Sequence, residues 1–329
     1  MKFLKILLIV LVAFAAIYLI VAAIAPKTFY VERKVVINAA PEAIFDNLNG
    51  LKEWEPWSPW KRYDSTIKNT YTGPESGVGS KATWTSQKSG DGSMEIIASQ
   101  PSSYISVQVS VGGFNPFWGV FRLQPVEGGT QVSWADSGKM EFWWAPMNFF
   151  AEKMMGPDLQ NGLTNMKQYF ETMPKWRLGE YKVADLPAQT VLTVMDSCPA
   201  NAIGPKLGAL YGEIGAVMKA NKLDFIGPVM AYYYSYSPEK VVLEAGVPVA
   251  KEVKGSGRVK CKTTPPTKAL TVSFFGDYQY LNDGVGQVMD YMKKNNMEPT
   301  GPEREAYLTD PGVEKNKMKV ETRIIFPIK

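Results

Sequence analysis

The chain has 329 residues, more than one domain usually contains, and 45% of them are apolar. Its formal net charge of +4 is small for this length and forms no basic stripe of the kind that binds nucleic acid. Histidine is absent, which excludes imidazole catalysis and the usual zinc sites. We therefore predict no metal, no cofactor and no nucleic-acid partner, and the oligomeric state stays open.

Two cysteines, Cys198 and Cys261, stand far apart in the chain. They would pair in an oxidising compartment, or they are two unrelated thiols of the kind often buried in protein cores. The cysteines therefore leave the compartment open.

An uncharged apolar segment runs over residues 6–25, and about 20 such residues span the apolar core of a bilayer. Ala23-Ile24-Ala25 resembles a signal-peptide cleavage site, but the apolar run is long for a signal peptide. We predict an uncleaved transmembrane anchor over residues 1–27, with a cleaved signal peptide as the alternative. Because the short N-terminal tail carries Lys2 and Lys5, we predict that the rest of the chain lies outside the cytoplasm.

Residues 28–173 follow an α+β pattern. Strand-like alternation begins near Tyr30, a helix begins at Pro41, and residues 105–111 alternate apolar with polar side chains. A last helix is predicted after Pro157. Its apolar face recurs at helical spacing in Leu159, Leu163, Met166 and Phe170. The pattern predicts a curved sheet that grips one long helix.

Three segments of this part resemble a known family: Val31-Glu32-Arg33, residues 36–45 and Trp54-Glu55-Pro56-Trp57. Together they resemble the START-like SRPBCC superfamily of the polyketide cyclase/dehydrase type. The resemblance implies a helix-grip fold with an apolar cavity and implies no particular reaction. The candidate cavity residues are Trp84, Trp134 and Met166, followed by Phe121, Phe142 and Leu159. For each of them ordinary core packing is the alternative.

Residues 174–329 contain an internal duplication, preceded by a linker over residues 171–179. Residues 218–228 parallel residues 292–302, and an amphipathic helix and a strand precede each of them. We predict a strand–helix–strand unit used twice about a pseudo-twofold axis, with a pocket where the halves meet. The copies differ at one position, because Ala231 of the first corresponds to Glu305 of the second.

A carboxylate on an aromatic-lined seam suits a cationic or polar ligand, since an uncompensated buried carboxylate is costly. Aromatic faces bind cations as well. The aromatic candidates near Glu305 are Tyr233, Phe275 and Tyr278. A solvated strand position is the alternative for Glu305.

The segments Glu244–Pro248, Phe275–Tyr278 and Glu305–Pro311 resemble the GyrI-like small-molecule-binding domain. In that family an acid two residues before a tyrosine lies in the central pocket and contacts cationic or amphipathic ligands. Glu305 and Tyr307 match this pattern, so the resemblance implies that both bind ligand. The domain also occurs joined to transcription regulators, but no DNA-binding helices accompany it in this sequence.

The sequence thus favours a membrane-anchored protein that binds or senses hydrophobic or amphipathic small molecules, cations included, through two pockets. A hydrolase of electrophilic small molecules that uses Glu305 and Tyr307 is one alternative, because some GyrI-like proteins resemble such enzymes. A scaffold protein is another, in which Trp143-Trp144 and Phe149-Phe150 form an exposed patch. Packing at the start of the closing helices is the favoured interpretation of that cluster.

Overall fold

The computed structural model describes residues 2–329, without the side chains of Lys2 and Arg62. Met1, the first residue of the predicted anchor, lies outside the described residues. The chain contains an apolar N-terminal helix and two compact units, one up to Met173 and one from Pro174 to Lys329. Both units combine an antiparallel sheet with a few helices, which confirms the predicted α+β class.

The first helix, α1 (Lys2–Ile24), contains a 22-residue stretch, Phe3–Ile24, that is long and apolar enough to cross a membrane. At about 1.5 Å per residue this stretch measures about 33 Å, close to the thickness of about 30 Å of a bilayer core. Almost none of it is buried against protein. These properties fit a membrane anchor and a signal sequence alike.

The first unit is built on seven strands. They are β1 (Thr28–Ile37), β2 (Lys68–Thr72), β3 (Lys81–Thr85), β4 (Gly92–Gln100), β5 (Tyr104–Val111), β6 (Phe117–Val126) and β7 (Gly129–Lys139). The sheet order is β1-β7-β6-β5-β4-β3-β2, antiparallel throughout. The helices are α2 (Pro41–Leu48), α3 (Trp60–Tyr63) and α4 (Ala151–Thr172), with short 3-10 helices at Leu51–Trp54 and Ala145–Phe150.

The long helix α4 begins at Ala151, so the predicted start after Pro157 is wrong. Pro157 lies inside the helix, where it cannot donate a hydrogen bond to the preceding turn. The buried apolar face offsets this loss, because Leu159, Leu163, Met166 and Phe170 all pack into the core between helix and sheet. Packing therefore overrides the local signal of a proline.

The second unit contains nine strands. They are β8 (Trp176–Leu178), β9 (Lys182–Leu186), β10 (Gln189–Cys198), β11 (Val229–Tyr236), β12 (Val241–Pro248), β13 (Lys260–Thr264), β14 (Thr267–Gly276), β15 (Glu303–Tyr307) and β16 (Glu321–Pro327). The sheet order is β13-β10-β12-β11-β15-β16-β14-β8, and β9 also pairs with β14. The longer helices are α5 (Ile203–Ala220) and α6 (Leu281–Lys294), and 3-10 helices lie at Ala200–Ala202, Tyr278–Tyr280 and Lys317–Lys319. Strand β8 lies in the segment predicted as a linker.

The predicted duplication is confirmed, and each copy has one strand more than the predicted strand–helix–strand unit. The copies are β10-α5-β11-β12 and β14-α6-β15-β16. Their equivalent strands β11 and β15 pair antiparallel at the centre of the sheet, with Ala231 directly opposite Glu305. Helices α5 and α6 both cover one face, which we call the helix face: α5 packs on Leu192 and Leu243, and α6 on Leu270 and Ile324.

The close approach of α4 to the sheet depends on a glycine, Gly162. A methyl group at Gly162 would collide with the buried ring of Trp134. We expect Gly162→Ala to lower the free energy of unfolding by about 1–3 kcal/mol, measured by denaturant unfolding of the full chain in detergent. Gly208→Ala on α5 is the control, since a methyl group there meets no atom within 4 Å and the change gains helix propensity. A Gly162→Ala variant as stable as wild type would contradict this packing.

Candidate ligand sites

Glu305 is buried, with 4% of its surface exposed. Its strand neighbours are Ala231 on β11 and Ile324 on β16. Both belong to the clusters of the helix face, so the carboxyl projects between the sheet and the helices. A solvated strand position, the alternative drawn from the sequence, does not fit this burial.

Two tyrosines hold the carboxyl of Glu305. The Tyr307 hydroxyl donates to it at 2.5 Å, and the hydroxyls of Tyr233 and Tyr307 lie 3.2 Å apart. Burial raises the pKa of Glu305 to about 7, although hydrogen bonds from Tyr307 and Tyr233 oppose the shift. Ionising Glu305 therefore costs free energy, and the hydrogen bonds from the two tyrosines offset this cost only in part.

A second carboxyl, that of Glu303, lies two residues earlier on β15 and so on the same face. Burial and, after it, the charge of Glu305 raise the pKa of Glu303 to about 8. No described side chain forms a hydrogen bond or an ion pair with its carboxyl. Near neutral pH the two carboxyls together therefore carry less than two charges, and a bound cation would favour their full ionisation.

Further tyrosines surround the pair of acids. The rings of Tyr278 and Tyr307 meet edge to face, with centroids 5.6 Å apart. Tyr211 of α5 donates to the main-chain oxygen of Met230 at 2.8 Å. Burial, and to a smaller extent the charge of Glu305, raises the pKa of the Tyr211 hydroxyl above its usual range. The wall of the site is thus aromatic, with hydroxyls that stay protonated.

Glu244 on β12 is also a buried acid, but a lysine compensates its charge. Its carboxyl accepts hydrogen bonds of 2.7 Å from both Lys262 and Tyr234. Burial acts to raise the pKa of Glu244, but the bonds from Lys262 and Tyr234 outweigh it and the pKa lies below its usual range. In the described part of the chain Glu305 has no such cation.

Phe275, a predicted site residue, lies on the other face of the sheet. Its neighbour Phe274 packs under α6, so strand alternation turns Phe275 away from Glu305. The Arg177 guanidinium lies over the Phe275 ring, 3.8 Å from the centroid. Of the predicted aromatic residues, the structure brings Tyr233, Tyr278 and Tyr307 to the acid and leaves Phe275 apart.

The first unit contains a cavity of about 270 Å³, which we call the helix-grip cavity. Trp84 and Trp134 line it, as the sequence predicts. Met166 is fully buried in the core beside the cavity and is not among its lining residues. Of the other candidates, Phe121 and Leu159 are core residues and Phe142 is exposed.

Two carboxyls line this largely apolar cavity: that of Glu55, which pairs with Lys61 at 3.0 Å, and that of Asp136. Asp136 on β7 is 4% exposed and accepts a hydrogen bond of 2.9 Å from the indole nitrogen of Trp134. Burial raises its pKa to about 7, even though the bond from Trp134 acts in the other direction. Asp136 makes no ion pair with a described residue. The cavity thus has an aromatic wall, a paired acid in Glu55 and, in Asp136, an acid that no described cation pairs.

Sequence reasoning missed Asp136, Glu303 and Tyr211 as site residues. Asp136 stands two residues after Trp134, and Glu303 two residues before Glu305, so strand periodicity places each beside a predicted residue. That signal was present in the sequence. Tyr211 had no such signal, because only the packing of α5 on the sheet brings it near Glu305.

The described residues contain no group of three or more Cys, Asp or Glu side chains that could hold a metal ion. Cys198 and Cys261 are both free thiols.

Two α+β units with an enclosed cavity and a buried acid are typical of small-molecule-binding domains. Residues 28–171 match the family model described as polyketide cyclase / dehydrase and lipid transport. Residues 179–329 match the model described as GyrI-like small molecule binding domain. The chain therefore joins an SRPBCC-type domain to a GyrI-like domain, and both resemblances seen in the sequence are confirmed.

Among solved structures, the C-terminal domain of EcmrR is 21% identical, with a TM-score of 0.41, over 46% of this chain and 97% of that one. SAV2435 bound to tetraphenylphosphonium is 14% identical, with a TM-score of 0.37, over 46% and 94%. The Aha1 dimer from Colwellia psychrerythraea is 20% identical, with a TM-score of 0.32, over 44% and 96%. No curated protein matches the chain in sequence.

The buried acid of the helix-grip cavity predicts a pH-dependent stability. The pKa of Asp136 is about 7 in the folded protein against 3.8 for a free side chain, so between these values only the unfolded chain loses its proton. Stability therefore falls as pH rises from about 4 to 7 and stays lower above it. We expect Asp136→Asn, which still accepts from Trp134, to be more stable than wild type at pH 8 by about 1–3 kcal/mol.

The difference should shrink towards pH 4, where wild-type Asp136 is protonated in both states. Glu127→Gln is the matched control, because Glu127 is exposed in the β6–β7 turn. Denaturant unfolding of the full chain at several pH values measures the effect. An Asp136→Asn gain that is equal at pH 4 and pH 8 would contradict the raised pKa.

Proposed function

We propose that this protein is a membrane-anchored binder or sensor of hydrophobic and amphipathic small molecules, with a site for organic cations at Glu305. The observation that carries the proposal is the acid pair Glu303 and Glu305, which no described cation compensates and which lies among tyrosines on the helix face. A lipophilic cation would supply the missing charge, and its apolar body would pack against the tyrosine rings.

The helix-grip cavity is the second proposed pocket. A cavity of about 270 Å³ is near the lower end of the sizes typical of small-molecule sites. Its walls, including Trp84 and Trp134, favour an apolar or aromatic body. Asp136 favours a hydrogen-bond donor on the same molecule, because its carboxyl receives only one hydrogen bond from the residues that the structure describes.

The proposed role of α1 is to hold both pockets at a bilayer. Hydrophobic and amphipathic molecules concentrate in lipid, so a tethered pocket meets them at a higher local concentration than a free one. We propose that α1 stays attached as an anchor and that the two units lie outside the cytoplasm.

Matched organic ions test the cation site. Tetraphenylphosphonium and tetraphenylborate have the same shape and opposite charge, and each is titrated into the full chain in lipid nanodiscs with empty nanodiscs subtracted. We expect the cation to bind and the anion not to bind. Glu305→Gln should lower affinity for the cation by about tenfold or more, which is about 1.4 kcal/mol.

The affinity of the wild-type protein for the cation should rise between pH 6 and pH 8, because the raised pKa values of Glu303 and Glu305 leave the pair partly protonated at pH 6.

Glu298→Gln is the control for this experiment. Glu298 is exposed in the same unit and pairs only with the exposed Lys329. If Glu305→Gln binds the cation as wild type does, the assigned role of Glu305 is wrong, even if binding itself is observed.

A second candidate function is hydrolysis of a strained electrophile. Opening a ring ether with water requires a base that takes a proton from water and an acid that protonates the ring oxygen. Glu305 and Glu303 have pKa values near neutrality, so the pair can hold one ionised and one protonated carboxyl, and Tyr307 is a further donor. Turnover of an epoxide that Glu305→Gln abolishes would favour this function over binding alone.

Membrane extraction and mass spectrometry test the anchor. We expect the full chain to stay in the membrane pellet after an alkaline wash with its mass undiminished. Leu11→Arg places a charge at the middle of α1, at a cost of about 2.5–3.5 kcal/mol, and should release a substantial fraction of the protein. Wild-type protein found in the supernatant and shortened after Ala25 would instead identify a signal peptide.

A further inference from the structure

Six aromatic side chains are exposed at one end of the first unit, and we call them the aromatic collar. They are Phe114, Phe142, Trp143, Trp144, Phe149 and Phe150. Their exposed fractions run from 39% for Phe142 to 60% for Phe150, so the predicted packing of this cluster is wrong for these side chains. Exposed aromatic side chains grouped at one end of a unit mark an interaction surface, because leaving them in water is unfavourable.

The aromatic collar is attached to the last turns of α1. The Tyr18 hydroxyl donates to the main-chain oxygen of Trp143. Asn148, in the 3-10 helix of the collar, donates to the main-chain oxygen of Pro26 at 2.7 Å. The Lys27 ammonium lies 5.0 Å from the centroid of the Phe142 ring. The collar and the end of the apolar helix are therefore one structural feature.

These contacts define the depth of the collar along α1. Tyr18 precedes the end of α1, Ile24, by six residues, which is about 9 Å along the helix axis. A bilayer that covers the apolar length of α1 therefore also reaches Trp143. Amphipathic surfaces that lie on membranes penetrate to a similar depth, about 5–10 Å.

We propose that the aromatic collar lies in the headgroup layer of the bilayer that α1 crosses and seats the first unit on the membrane surface. Tryptophan and other aromatic rings prefer this layer, and Lys27 suits the phosphate groups there. A lipid surface is the occupant because the collar is continuous with α1. The proposal rests on the proposed anchoring role of α1 and goes beyond it, since an anchor alone leaves the soluble part free to move away from the lipid.

The same end of the first unit carries part of the helix-grip cavity. Phe114 lies in the β5–β6 loop and contacts Trp144 edge to face, with centroids 5.7 Å apart. Val111 and Phe117, which flank this loop, both line the cavity. Seating the collar in the headgroup layer therefore brings this end of the cavity to the lipid. A ligand dissolved in the bilayer would then reach the cavity without crossing bulk water.

Spin labels on the full chain test the seating. Phe149→Cys and Phe150→Cys are labelled with a nitroxide in the Cys198→Ser, Cys261→Ser background and placed in phosphatidylcholine and phosphatidylglycerol vesicles. The control is Val78→Cys, which is exposed in the β2–β3 loop at the opposite end of the antiparallel sheet. We expect the collar labels to collide often with oxygen, which concentrates in lipid, and rarely with a water-soluble nickel chelate. The Val78 label should show the reverse.

Two results overturn the proposal. Collar labels as accessible to nickel as Val78 mean that the collar faces water, and labels protected from both reagents mean that protein covers it, such as a second copy of the chain. A label at Leu11→Cys separates this failure from failure of the anchor. If Leu11 is in lipid while the collar faces water, only the seating is wrong, whereas a nickel-accessible Leu11 contradicts the anchor itself.

Discussion

The second unit is organised around a carboxyl that is buried without a cation. Pseudo-twofold pairing of β11 with β15 places Glu305 at the centre of the sheet, opposite Ala231 and on the helix face, where it is buried from water. Tyrosine hydroxyls offset part of the desolvation cost, and the rest appears as a raised pKa. The sheet can compensate an acid fully, as Lys262 does for Glu244. The missing cation at Glu305 is therefore a local feature of the site, which a ligand of the proposed class would supply.

The first unit repeats this physical arrangement on an unrelated fold. Asp136 is buried in an aromatic-lined cavity, holds one hydrogen bond from Trp134 and has a raised pKa. In both units a carboxyl is desolvated without an opposite charge beside it, and this lowers the free energy of unfolding of the ligand-free protein. Binding can recover that free energy, which is how a small site gains selectivity from few polar contacts. This common principle favours a shared class of amphipathic, donor-bearing or cationic ligands for the two proposed pockets.

The proposed place of these pockets follows from the N-terminal part of the chain. An apolar helix long enough for a bilayer ends beside the exposed side chains of the aromatic collar, and the two are joined by hydrogen bonds from Tyr18 and Asn148. A flexible tether would bring the domains near lipid, whereas the collar would fix one end of the helix-grip cavity at the lipid surface. Access of a ligand from the bilayer to the helix-grip cavity would then follow from the geometry of the first unit.

Sequence alone determined the apolar helix, the α+β class, both family resemblances and the duplication, because these depend on periodicity and on motifs that are local in the chain. It also singled out Glu305, since comparing the two copies exposes the change from Ala231. Only the tertiary structure decided what covers each face. Strand periodicity shows which residues share a face, but not whether helix, cavity or water lies over that face. Only the structure therefore shows that Phe275 lies on the other face of the sheet from Glu305, that Met166 lies in the core and that Asp136 lines the cavity. Helix α4 likewise continues past Pro157, because the burial of its whole apolar face outweighs the loss of one hydrogen bond.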